Sequence, residues 1–153
     1  MVTCSYSAFV STLQSGLSQI NAVGNLLLLI RLRSFEIMGN GYLADSTMEA
    51  LILDAALKTA TVEKIPIPSP SSNEIVVLVD AVALNPVDAL YVFNPLGKTG
   101  RVVGSDFAGT VQSLGLHVPS LDPHMRVGQR VAGFLQGANS VNNKPGAFAE
   151  YLP

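Results

Sequence analysis

The sequence contains one cysteine, few charged residues and no long apolar run, and each shortage excludes a class of protein. Cys4 alone cannot form an intramolecular disulfide, and a zinc site built from several cysteines is impossible. The formal net charge of −2 gives no general attraction to nucleic acid or to an anionic membrane. The apolar run over residues 26–30 is far too short to span a membrane. We therefore expect no nucleic-acid or membrane partner, and the scarcity of thiols fits a reducing, cytoplasmic location.

Histidine is also scarce, which bears on metal binding. His117 and His124 fall in a proline-containing stretch with no cysteine or carboxylate cluster beside them. Zinc sites usually combine several histidine, cysteine or carboxylate ligands. We therefore interpret both histidines as solvated loop residues and predict no metal site.

The overall composition is that of a folded domain, but the N-terminal residues differ in composition from the rest. Of 153 residues, 48% are hydrophobic and 13% are charged, which is enough apolar material for a core. Residues 1–47 differ from the rest, being rich in Ser, Asn, Leu and Gly, and we interpret them as an extension that is disordered or partly helical. A helix over residues 13–32, interrupted by Gly16 and Gly24, and an acid-poor mitochondrial presequence are the alternatives.

From Met48 to Pro153 the pattern indicates a β-rich domain. Short runs of apolar and β-branched residues alternate with Gly, Pro and Asn, which is typical of a partly open barrel. The predicted strands cover residues 49–54, 60–67, 74–84, 101–114, 129–135 and 147–152. The predicted connections are a turn over residues 55–58 and loops over 66–73, 115–128 and 136–146.

One short helix is predicted between two of these strands. Asn85 stands where a helix would begin, Pro86 suits its first position, and Asp88 falls near the free amides of the first turn. Proline and glycine within residues 94–97 end it. Gly104, further on, indicates a bulge or a close backbone approach, as does Gly109. A polar strand-to-helix corner can hold an active site, but it is also an ordinary helix cap.

Five motifs in order carry a family resemblance. They are MEALILD, EIVVLVDAVALNPVD, VVGSDFAGTV, RVGQRVAGF and GAFAEYLP, and they are spread over residues 48–153. They resemble the N-terminal GroES-like domain of the medium-chain dehydrogenase/reductase superfamily. The likeness is strongest to its zinc-independent quinone oxidoreductases and fungal trans-enoyl reductases. The resemblance implies a mainly β, partly open GroES-like barrel with short helices.

The resemblance also bears on zinc. Zinc alcohol dehydrogenases of this superfamily place a cysteine ligand after the long strand and a Gly-His-Glu motif further on. Here the corresponding positions are Asn85 and residues 104–106, which read Gly-Ser-Asp. Because amide and hydroxyl groups are poor zinc ligands, we expect a zinc-independent protein.

The implied activity is NADPH-dependent reduction of an activated C=C bond in an enoyl thioester, enone or quinone. By resemblance, Asn85 and Tyr91 would be catalytic. The cofactor-binding residues would be Asn85, Val87, Asp88, Ala89 and Leu90. Related polyketide enoyl reductases often have lysine at the position of Leu90, so phosphate contact there is in doubt. Asp88 would hold either the helix start or a polar group of the cofactor.

The sequence shows no glycine-rich dinucleotide-binding fingerprint, since residues 39–41 lack a preceding strand and a third glycine. The family's Rossmann domain is therefore missing from this sequence. We expect that domain, or another chain, to complete the cleft for a small-molecule substrate, and we expect this chain alone to be inactive. The alternative is a non-enzymatic GroES-like binding module or an inactive fragment.

Overall fold

The computed structural model describes residues 29–31, 47–137 and 144–153, which form seven strands and two short helices. In chain order these elements are β1 (Leu29–Arg31), β2 (Thr47–Asp54), β3 (Thr59–Pro66), β4 (Ile75–Ala83), α1 (Pro86–Phe93), β5 (Asp106–Leu114), α2 (Val118–Leu121), β6 (Arg130–Phe134) and β7 (Tyr151–Leu152). The mainly β prediction is confirmed, and the described strands do not close into a barrel.

The strands form two antiparallel sheets. The larger sheet has the order β1-β4-β5-β6, with β7 also pairing with β4. The smaller sheet is the β2–β3 hairpin, whose turn includes Lys58 at a positive φ of 54°. Of the described strands, β4 is the centre of the larger sheet because β5 pairs along its length and β1 and β7 share its other edge.

Two irregular segments join the hairpin to the larger sheet. The Leu51 N–H donates to the Phe148 carbonyl at 2.8 Å, and the Val103 N–H donates to the Leu51 carbonyl at 3.0 Å. The side chains of Leu51 and Phe148 are each 1% exposed and lie in the main core cluster. The hairpin and the sheet therefore enclose one apolar core, and burial of such side chains is the main stabilising term in folding.

Gly104 and Gly109 both mark close backbone approaches, as predicted. A Cβ built on Gly109 would lie 2.3 Å from the Leu78 carbonyl oxygen, next to a register shift in the β4–β5 pairing. Gly104 has a φ of +97°, and a Cβ there would lie 2.3 Å from Cδ1 of Phe148. Both positions require glycine because no side-chain carbon fits.

Three boundaries differ from the predictions. The strand predicted over residues 101–114 begins only at Asp106, because Gly104 turns the backbone and leaves Val102 in an isolated bridge to β2. The last strand, predicted over 147–152, is regular only in β7, since Ala149 bridges to the hairpin instead. The loop predicted over 115–128 contains α2.

The alternative of a helix over residues 13–32 is wrong at its C-terminal end. Residues 29–31 lie in β1, and they pair with Ala81, Val82 and Ala83 of β4. A strand at this edge satisfies backbone groups of β4 that would otherwise be unpaired. The rest of the 13–32 segment lies outside the described residues, and the domain division near residue 47 stays a prediction. Within the described ranges, no helix is long and apolar enough to cross a membrane.

Candidate functional site

Four polar side chains meet where β4 ends and where β5 and α1 begin. Asn85 is the N-cap of α1, with an extended backbone, and the proline that follows it occupies the first turn. Asp88 lies at the third helical position, while Ser105 and Asp106 come from the start of β5. The helix thus begins at Asn85 and Pro86, as the sequence predicted. The β4–β5 pairing brings Ser105 and Asp106 next to this helix start.

Asp88 is the buried centre of this group. Its side chain is 2% exposed, and both carboxylate oxygens accept hydrogen bonds. Oδ1 accepts from the Ser105 hydroxyl at 2.7 Å, and Oδ2 accepts from the Asn85 backbone N–H at 2.8 Å. This bond from the Asn85 N–H to the side chain of the third helical residue is the arrangement of a capping box. The Asp88 N–H in turn donates to the Asn85 backbone carbonyl at 3.0 Å.

Burial perturbs the ionisation of this carboxyl group. Desolvation raises the pKa of Asp88 from its ordinary 3.8 to about 6, because the charged form is poorly solvated there. The hydrogen bonds from Ser105 and from the Asn85 backbone oppose this rise, and the negative charge of Asp106 adds to it. Asp88 therefore changes charge close to neutral pH.

Asp106 holds the side chain of Asn85. The Asn85 Nδ2 donates to Oδ2 of Asp106, which is half-buried at the start of β5. Because an ionised carboxylate can only accept hydrogen bonds, the amide nitrogen and not the amide oxygen must face Asp106. Asn85 is thus held twice, through its backbone by Asp88 and through its side chain by Asp106. We call these three residues, together with Ser105, the Asn85 network.

The residues predicted to bind a cofactor or substrate differ in accessibility. Asn85, Val87 and Tyr91 are half-buried, and Leu90 is 53% exposed. The side chains of Asp88 and Ala89 are each 2% exposed, and Ala89 belongs to the core cluster. Of the two roles open to Asp88, holding the helix start matches its contacts. The cofactor and catalytic assignments stay predictions.

Ser105 and Asp106 were not among the predicted site residues. Ser105 is 1% exposed, and its hydroxyl donates to the Asp88 carboxylate. The available signal was their position after Gly104, where the resemblance places a zinc-ligand motif. At that position the residues indicate only that zinc ligands are absent, whereas in the structure Asp106 binds Asn85 and Ser105 binds Asp88.

Among the described residues, no group of three or more His, Cys, Asp and Glu side chains is placed to hold a metal ion. His117 and His124 are exposed, and Nδ1 of His117 lies 3.0 Å from Oδ1 of Asn73. The interpretation of both as surface loop residues agrees with this placement.

Comparison with known proteins identifies relatives of this chain. Residues 71–153 match the family model of the alcohol dehydrogenase GroES-like domain. A trans-enoyl reductase of Penicillium crustosum is 42% identical over 104 residues, covering 67% of this chain and 27% of the relative. A trans-enoyl reductase of Aspergillus niger is 39% identical over 108 residues, covering 70% of this chain and 28% of the relative.

Solved structures show the same fold. An alcohol dehydrogenase superfamily protein from Novosphingobium aromaticivorans matches with a TM-score of 0.58 and 27% identity, covering 69% of this chain and 31% of that one. The quinone oxidoreductase from Coxiella burnetii matches with a TM-score of 0.55 and 25% identity, covering 69% and 34%. The chain spans about a quarter to a third of the length of these relatives. It belongs to the alcohol dehydrogenase GroES-like domain family of the medium-chain dehydrogenase/reductase superfamily.

Proposed function

We propose that this chain is the N-terminal catalytic-domain part of a zinc-independent, NADPH-dependent oxidoreductase. The reaction is reduction of an activated C=C bond in an enoyl thioester, an enone or a quinone. The observation that carries the proposal is the 42% identity to a trans-enoyl reductase, together with the GroES-like match over residues 71–153, which contain the Asn85 network.

The surface of α1 fits the nicotinamide end of the proposed cofactor. Val87 and Leu90 offer apolar contact, and Asn85 and Tyr91 offer polar groups that are partly accessible. A nicotinamide has a flat apolar ring and a carboxamide that both donates and accepts hydrogen bonds, so this mixture of side chains suits it. The phosphates of the cofactor have no basic partner at position 90 of α1, because residue 90 is an uncharged leucine.

The residues of this chain would bind and orient the reactants. When bound, NADPH would supply the hydride, which is the difficult chemical step. Asn85 would hydrogen-bond the nicotinamide side of the cleft, and the Tyr91 phenol would donate to the oxygen on which negative charge develops. Leu90 and Val87 would exclude water from the reacting faces. Positioning and charge stabilisation of this kind supply much of the rate enhancement of enzymes.

Ligand chemistry supports the zinc-independent assignment. Asn85 and Ser105 stand at two positions where zinc alcohol dehydrogenases, by the resemblance, have ligands. An amide and a hydroxyl are weak zinc donors, and here both groups hydrogen-bond to carboxylates instead. The polar groups at these positions are thus paired with one another by hydrogen bonds.

A second protein part would complete the cleft. The relatives are three to four times longer than the matched region, and the resemblance places a Rossmann domain in the remainder. A glycine-rich turn at a helix N-terminus would bind the diphosphate there. We therefore expect the 153-residue chain alone to bind NADPH weakly or not at all.

A hybrid enzyme tests the proposal. The matched region of the Penicillium crustosum trans-enoyl reductase is replaced by residues 48–153, and NADPH oxidation is followed at 340 nm with an enoyl thioester, an enone and a quinone. We expect substrate-dependent oxidation that a zinc chelator does not reduce, whereas the isolated chain shows none.

Two results would count against this account. Micromolar NADPH binding by the isolated chain, measured by cofactor fluorescence, would contradict the need for a second part. A folded hybrid that oxidises NADPH with none of the three substrates would favour the non-enzymatic binding module instead.

A further inference from the structure

The Asn85 network contains more polar groups than a helix cap requires. A cap needs one side chain that accepts a backbone N–H, and Asp88 already fills that role toward Asn85. Ser105 adds a donor to the buried carboxylate, and Asp106 adds an acceptor for the Asn85 side chain. The additional contacts all act, directly or through Asp88, on Asn85, the network residue that is predicted both to be catalytic and to bind the cofactor.

The contacts restrict Asn85 in two separate ways. The bond from its backbone N–H to Asp88 fixes the chain entering α1. The bond from its Nδ2 to Asp106 fixes the rotation of the amide, a torsion that is otherwise broad. The two carboxylates come from different elements, Asp88 from α1 and Asp106 from β5. A local movement of one element therefore leaves the restraint from the other element in place.

We propose that Asp88, Ser105 and Asp106 are positioning residues that hold Asn85 in one orientation for ligand binding. The inference rests on the proposed function, because it assigns Asn85 to the cofactor end of the cleft. Asp88 and Ser105, which are 2% and 1% exposed, act through Asn85 and do not contact the ligand. A side chain that is already ordered loses less conformational entropy when it binds, so the network increases affinity without adding a contact.

Nuclear magnetic resonance of the ¹⁵N-labelled chain tests the restraint directly. We expect the Asn85 side-chain NH₂ to show a high heteronuclear NOE, typical of a rigid group, in the unaltered protein. Asp106→Asn keeps an acceptor oxygen and should preserve this rigidity, whereas Asp106→Ala should abolish it. Asp80→Ala, which removes a carboxylate that accepts from Thr110 elsewhere on the sheet, should leave it unchanged.

A second readout follows Ser105. The chemical shift of the Asn85 backbone N–H should report the ionisation of Asp88, which has a pKa of about 6 and is influenced by the charge of Asp106. Ser105→Ala removes a hydrogen bond that lowers this pKa, so the midpoint of the titration should move to higher pH. A purely structural role for Ser105 would change stability without moving this midpoint.

The hybrid enzyme connects the restraint to binding. We expect kcat/KM for NADPH to fall about tenfold in Asp106→Ala, equivalent to 1.4 kcal/mol, with partial recovery in Asp106→Asn and no loss in Asp80→Ala. A rigid Asn85 side chain in folded Asp106→Ala would overturn the inference. A mobile Asn85 side chain in the unaltered chain would also overturn it, and this measurement does not depend on the stability of Asp106→Ala. An inactive hybrid would instead overturn the proposed function and leave the resonance result to decide this inference.

Discussion

Replacing Gly104 by alanine is expected to lower the free energy of unfolding by about 3 kcal/mol or more. The positive φ of 97° costs an L-residue about 1–2 kcal/mol. The new Cβ would also lie 2.3 Å from Cδ1 of Phe148, a core side chain that is 1% exposed, so the ring or the backbone would have to shift within the core. Overpacking of this kind typically adds about 1–3 kcal/mol.

Gly100→Ala is the matched control for this prediction. Gly100 has a φ of +92°, and a Cβ there would meet nothing within 4 Å. It should therefore show the backbone cost of about 1–2 kcal/mol alone. Urea unfolding of both variants gives the difference, which measures the contact with Phe148. Equal losses at the two positions would contradict the assigned packing of Gly104 against the core.

The second large effect concerns pH. At pH values between the ordinary pKa of 3.8 and the raised pKa of about 6, Asp88 is protonated more often in the folded state than in the unfolded state. The contribution of Asp88 to the free energy of unfolding must therefore fall as pH rises through this window. Above the window, the folded protein carries the full free-energy cost of burying the charged carboxylate. A shift of this size corresponds to about 3 kcal/mol, since one pKa unit is worth about 1.4 kcal/mol.

Asp88→Asn isolates this contribution. The variant removes the charge and keeps one acceptor oxygen for the two donors, Ser105 and the Asn85 N–H, so it carries its own constant loss of stability. That loss does not depend on the ionisation of residue 88. Denaturant unfolding from pH 4 to pH 7.5 covers most of this window and should show a decrease that is larger in the unaltered protein by about 2.5 kcal/mol. Parallel pH profiles would mean that Asp88 is not buried as described.

Local sequence signals predicted α1 and most strands because the relevant forces act within a few residues. Pro86 and Asn85 determine where the helix begins, and the chain leaves it at Asn94, close to the predicted end. β-branched residues likewise identified β4 and β2 to within two residues. The family resemblance extended these elements to the correct overall fold.

The break in the strand predicted over residues 101–114 could not be found locally. The sequence marked Gly104 as special, but whether it forms a bulge or turns the chain depends on the distant Phe148 packed against it. The Asn85 network was missed for the same reason. The bond from Ser105 to Asp88 joins residues 17 apart, and it exists only because β4 and β5 pair in one register. Sequence patterns do not specify such rotamer-level contacts.

The most direct test of the central claim is the effect of Asn85→Ala on NADPH-dependent reduction by the hybrid enzyme. Asn94→Ala is the matched control, because Asn94 caps the other end of α1 through its backbone N–H, which alanine retains. We predict that kcat/KM falls about 100-fold for Asn85→Ala, in the range found when a positioned hydrogen-bonding group is removed, and stays within about twofold for Asn94→Ala. Equal activity in the two variants would show that Asn85 is only a helix cap.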